Sequence, residues 1–371
     1  MKTNVRDTTM QMDGWRELYA AKRGGIGSKA CQRRLYIKCA AEKATGPKAS
    51  EAEPPFVRED LRYDMLLTEF LLHKRDAVKE STYAHYCDVV ETHIRPRLGS
   101  LPLQQMNTKE IDRFTSELLR EGRRDKQGGL SPKSVRDILS IVRLSLQYAM
   151  DLRLIPAEAV HFSVPRIEQA AMQILSDEEQ IRLEYSVRAS GSSATFGIYL
   201  CLYTGLRIGE LCALQWNDID FENAIISISR TILRIRNTGT GAAKTRIVIT
   251  SPKTKSSIRR IPLPSFVASA LRALQKEAAS PEAYVLTGTT RYIEPSNYYV
   301  RYKRILRKCG LPDYSFHALR HTFATHCIEK GFDPKSLSEI LGHASVGITL
   351  NRYVHPSMEL KRRCMERLES C

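Results

Sequence analysis

Four apolar runs of helical period crowd into residues 56–155, and they limit the fold more than any other feature. "YDMLLTEFLLHKR" repeats its apolar positions at helical spacing. "KESTYAHYCDVVETHI" opens on Ser81 as an N-cap and is expected to stop before Pro96. "NTKEIDRFTSELLREG" opens on Asn107 or Thr108 and ends on Gly122. "LSPKSVRDILSIVRLSLQYAMDLRLI" has Ser131 as its cap and Pro132 in the first turn, where proline is best tolerated. Short breaks between four such helices predict a compact bundle over residues 55–156.

The stretch 157–172 carries a proline, changes texture and reads as a linker. A second domain, 173–371, opens on Ser176 as a cap, with Glu178 and Glu179 in the first helical turn. "TFGIYLCLYTGLRIGELCALQWNDIDF" is apolar and helical, with Arg207 inside it. "AIISISRTILRIR" and "RIVITSPKTKSSIRRIPLP" are rich in β-branched residues and read as strands, with Lys253 and Lys255 at the turn of a hairpin. Helical patterns then return to the end of the chain. The expected class is mainly α with a small antiparallel β-sheet.

The formal net charge is +16, which favours a polyanion as partner, nucleic acid ahead of an anionic membrane surface. Residues 1–54 concentrate Lys22, Arg23, Lys29, Arg33, Arg34 and Lys38, and read as a disordered basic tail or a small accessory DNA-binding element. No run of 18 apolar residues and no apolar leader core is present, so a cytoplasmic protein is expected. The nine cysteines form no CxxC pair, which favours free thiols over a disulfide framework or a zinc ribbon.

Several polar residues of the second domain look unlike core. Arg207 has Glu210 three residues on; the bland reading is a surface pair on one helix. "HALRHTFATH" sets His317 and Arg320 on one helical face, with His321 and His326 read as packing residues. His317 and His321 have the spacing of metal ligands, but the glutamate of HExxH is missing and no metal site is expected. His343 follows a helix-ending glycine, and Tyr353 comes ten residues later. Arginines, a lysine, histidines and a tyrosine without a carboxylate cluster suit phosphoryl transfer. Guanidinium groups meet charge on phosphate oxygens, a tyrosine hydroxyl can be the nucleophile, and a lysine or histidine can protonate the leaving group. No G-x-x-x-x-G-K-[ST] loop occurs, so no nucleotide cofactor is expected.

In order and spacing, "TGLRIGELCALQWNDID", "PKTKSSIRRIPL", "HALRHTFATH" and "LGHASVGITLNRYVH" resemble the tyrosine recombinase, or phage integrase, family, over about residues 176–356. The likeness is to integrases of temperate phages and conjugative transposons. It implies a helical core-binding domain and a catalytic domain forming a C-shaped DNA clamp. It implies that Arg207 and Arg320 hold the scissile phosphate, His317 assists acid–base work and phosphate binding, and His343 hydrogen-bonds the phosphate. Tyr353 would be the nucleophile, Lys253 (Lys255 in the alternative) the general acid, and Glu210 a supporting residue. The implied partners are double-stranded DNA, three further copies in a homotetramer on two DNA segments, and an excisionase or host architectural protein. Action at the nucleoid and no membrane partner follow. An amphipathic tail with Leu360, Cys364 and Leu368 either packs on its own domain or, as the resemblance implies, docks on a neighbouring subunit. A type IB topoisomerase and a catalytically silent DNA-binding regulator are the competing readings.

Overall fold

The computed structural model describes residues 61–354 apart from 126, 157–160, 168–171, 238–242 and 252–257, and beyond 354 only residues 358, 362, 365 and 366. The basic segment 1–54, part of the 157–172 stretch, Lys253, Lys255 and the tail positions Leu360, Cys364 and Leu368 lie outside the described residues. The chain divides into two compact units, Met1–Glu168 and Gln169–Cys371.

The first unit is helical: α1 (Tyr63–Arg75), α2 (Glu80–Val89), α3 (Arg95–Leu98), α4 (Thr108–Glu121) and α5 (Pro132–Asp151). Asn107 caps α4, accepting the Glu110 N–H at 3.1 Å, and Ser131 caps α5 through the Ser134 N–H at 3.2 Å. Two expectations fail along α2. Its N-cap is Lys79 rather than Ser81, and the helix does not stop before Pro96. A π-helical turn, Val90–Ile94, widens the backbone and carries it into α3, with Pro96 in the first turn of that helix. Val90 and Ile94 are fully buried, and their packing keeps the chain helical through the proline.

The second unit is mainly helical with small antiparallel β-structure, as expected, and among the described residues that β-structure forms two sheets. It begins with α6 (Asp177–Ala189), closed by a capping box between Ser176 and Glu179. α7 (Ser193–Thr204) is apolar on every side and runs through the core beside Trp216, Tyr298 and Tyr302. The apolar stretch holding Arg207 is two helices, not one. Gly205 ends α7 in the left-handed region (φ 64°), Arg207 is extended, and α8 (Ile208–Ala213) starts directly after it.

Strands β1 (Ile219–Asp220), β2 (Ile225–Ile228) and β5 (Arg259–Pro262) form one sheet in the order β1-β2-β5; β3 (Thr231–Arg236) and β4 (Thr245–Thr250) form the other. Among the described residues, the strands flanking the Lys253–Lys255 segment do not pair with each other as the expected hairpin required. β4 pairs with β3, and β5 pairs with β2 in the register Ile226↔Ile261, Ile228↔Arg259. The buried face of β2, Ile226 and Ile228, selects a partner whose own alternate residues point inward. Helices α9 (Ser265–Gln275), α10 (Pro295–Lys308), α11 (Phe316–Glu329), α12 (Pro334–Leu341) and α13 (Val346–Tyr353) complete the unit.

Candidate active site

Three arginines from three separate segments of the second unit converge on the C-terminal end of α12. Its last carbonyls have no partner within the helix and lie at the negative end of the helix dipole. Arg259 donates Nε to the Ile340 carbonyl at 2.6 Å. Arg320 donates Nη2 to Leu341 at 2.7 Å, and Arg207 donates Nη2 to Gly342 at 3.2 Å. The second arm of Arg320 reaches the Gly205 carbonyl at 2.8 Å. Two left-handed glycines, Gly205 and Gly342, thus present carbonyls to the arginines.

Glu210 balances part of this charge. Its carboxylate is buried and accepts from Arg207 Nη1 at 2.7 Å, Arg259 Nη2 at 2.8 Å and the Arg207 backbone N–H at 3.0 Å. The surface pair on one helix is thereby replaced by a buried three-residue network. Burial would raise the Glu210 pKa, but the hydrogen bonds and charge of Arg259, with Arg207, hold it down to about 2. Arg259 was not singled out in the sequence. Its signal is the period of two in "RRIP": Arg259 and Ile261 face inward while Arg260 and Pro262 face out.

Arg320, at 2% exposure, is the most enclosed of the three. Arg207 keeps a third of its side chain in solvent, and His317 beside it is exposed. His317, open to solvent on one side and enclosed on the other, is lowered to about 4, and half-buried His343 to about 3, in each case by desolvation first, then by Arg320 and Arg207. The imidazoles stay neutral while the guanidiniums carry the charge. With more cations than anions and one open side, the cluster suits an anion with several acceptor oxygens.

Tyr353 ends α13 and is 5% exposed, packed with Ala324, Cys327, Leu337 and Leu341. Burial raises its pKa, and Arg320 and Arg352 oppose the rise. Its hydroxyl lies 2.8 Å from His321 Nδ1, so His321 is more than a packing residue. The His343 ring lies nearly parallel to the Tyr353 ring, at 6.3 Å between centroids. The Nδ1 of His343 pairs with the buried Thr349 hydroxyl at 2.8 Å. The structure brings Arg207, Glu210, His317, Arg320, His343 and Tyr353 together within the second unit. It adds Arg259, His321 and Thr349. His321 had a legible spacing, one residue after Arg320 and four after His317, but nothing in the sequence shows that it faces Tyr353.

The profile of the phage integrase family matches residues 174–359, half of the chain and all of this cluster that is described. The chain belongs to the phage integrase family. The N-terminal SAM-like domain of phage integrases matches residues 64–119. A tyrosine recombinase XerC-like protein of Caldanaerobacter subterraneus subsp. tengcongensis is 30% identical over 334 residues, covering 83% of this chain and 82% of that one. The transposase from transposon Tn916 of Enterococcus faecalis is 29% identical over 212 residues, 53% of this chain and 51% of its own length. Among solved structures, the Tn1549 transposon integrase in complex with a circular intermediate DNA is 26% identical. It has a TM-score of 0.66 and covers 83% of this chain and 99% of that one.

Proposed function

We propose that this integrase-family chain is a site-specific DNA recombinase that cuts and rejoins duplex DNA through a covalent 3′-phosphotyrosine, integrating and excising a mobile genetic element. The observation that carries this reading is the buried tyrosine hydroxyl beside a cluster of arginines whose carboxylate is already engaged. Such a site can bind a phosphodiester and attack it. Arg207 and Arg320 hold the non-bridging oxygens and meet the charge that builds on them. His317 and His343 add hydrogen bonds. Tyr353 attacks phosphorus, Lys253 protonates the departing 5′ oxygen, and Glu210 steadies Arg207. The phosphotyrosine keeps the energy of the broken bond, so rejoining consumes no nucleotide. The Tn916 and Tn1549 relatives support a mobile element as the cargo.

Each chain supplies one Tyr353, and exchange of both strands between two duplexes takes four cuts. Four copies on two DNA segments follow, acting at the nucleoid with an excisionase or host architectural protein to set direction. Tyr353→Phe is expected to bind DNA normally and to form no covalent adduct. The substrate is a nicked duplex carrying the element's end-joint sequence, with adducts resolved on denaturing gels. An adduct with the phenylalanine variant would overturn the reading. Relaxation of supercoiled DNA by the monomer, without a specific site, would favour the topoisomerase reading.

A further inference from the structure

We propose that His321 is the proton acceptor for Tyr353: its Nδ1, at 2.8 Å, takes the phenolic proton as the oxygen attacks phosphorus. The inference rests on the assignment of Tyr353 as nucleophile and adds a catalytic residue to it. A phenol is a weak nucleophile until its proton has somewhere to go. What sets His321 apart from the groups around it is the direct hydrogen bond to the Tyr353 hydroxyl. The Glu210 carboxylate is held by Arg207 and Arg259. His343 spends Nδ1 on Thr349, and His317 packs edge-to-face on His321. His321 is one helical position past Arg320, so the residue that receives the proton and the residue that holds the phosphate share the α11 scaffold.

The groups facing His321 set its state. His317 and Arg320 lie on its own helix, and Arg352 and Tyr353 on α13. Desolvation, then His317, Arg352 and Arg320, hold the imidazole down to about 4, so it is neutral near pH 7 and able to accept. A bound phosphodiester brings negative charge to the same arginines and strengthens the base when substrate is seated.

In cleavage, the Tyr353 O–H bond breaks and the proton moves to Nδ1, giving imidazolium. The oxygen–phosphorus bond forms, the bond from phosphorus to the 5′ oxygen breaks, and the departing oxygen keeps the electron pair and takes the proton of the general acid. In rejoining, the 5′ hydroxyl attacks and His321 returns the proton to the departing tyrosine, so the cycle closes without net proton exchange.

His321→Asn tests this, because its amide can accept the hydrogen bond but not the proton. On the nicked duplex, single-turnover cleavage is expected to fall about 10²–10⁴-fold with DNA affinity unchanged. Fluorinated tyrosines of lowered pKa at position 353 should restore the variant steeply and the unsubstituted chain only weakly. Cleavage at the unsubstituted rate, or equal dependence on phenol acidity in both proteins, would overturn the assignment. Should asparagine impair folding, the unsubstituted chain decides alone: weak dependence supports the proposal and steep dependence defeats it. Tyr353→Phe in parallel separates the two readings. An adduct there removes the nucleophile assignment, whereas loss of adduct there with full cleavage by His321→Asn removes only the base.

Discussion

Glu210 is buried between Arg207 and Arg259, while the histidines around it are held neutral, and together these groups set how the site responds to acid. His317 and His321 at about 4 and His343 at about 3 all sit below the ordinary 6.5. As pH falls from 6.5 toward 4, the unfolded chain binds protons that the folded site refuses, so stability declines. Glu210 adds a second loss as pH falls from 4.5 toward 2, since its folded pKa is the lower one. The thermal midpoint is expected to drop across pH 6.5–4, and to drop less with duplex DNA bound, because phosphate charge raises the histidine values. A midpoint flat across that window would contradict the picture. The general acid is tested at the same scale. Lys253→Ala should block cleavage far more than Lys255→Ala, with rescue by a substrate whose 5′ bridging oxygen is sulfur. Rescue of Lys255→Ala instead would exchange the two roles.

At the scale of elements, the site depends on two chain breaks. Gly205 separates α7 from α8 and hands its carbonyl to Arg320; Gly342 ends α12 and hands its carbonyl to Arg207. A Cβ on Gly205 would stand 2.7 Å from Leu341 Cδ2 and 2.7 Å from Phe323 Cδ1, in a left-handed backbone that disfavours it. Gly205→Ala is expected to cost at least about 1–2 kcal/mol by chemical denaturation and to lower cleavage as well. Gly342→Asn, which tolerates the same backbone, should cost less. The caps Ser131 and Ser176 were legible because a side chain meets a backbone N–H three residues away. The π turn ahead of Pro96 was not, because the burial of Val90 and Ile94 overrides a local rule.

At the scale of the molecule, the charge of +16 favours a polyanion, and the arginines gathered at the end of α12 are a small part of it. DNA affinity should fall linearly on a log–log plot against salt. Tyr353→Phe should leave the slope unchanged, and Arg207→Ala should reduce it by about one. Equal slopes for both variants would remove Arg207 from the phosphate contacts.

Order and spacing along the chain determined the helical character of both units and the family resemblance, which in turn implied one shared site for Arg207, His317, Arg320, His343 and Tyr353. Those properties are local periodicities and fixed intervals that survive any packing. Tertiary structure decided which strand β5 joins, that Arg259 shares Glu210, that three arginines gather at the end of α12, and that His321 meets Tyr353. Each of these is a contact between segments distant in sequence or turned by a helix end, and a side chain's direction there is set by burial and hydrogen-bond satisfaction across the whole unit.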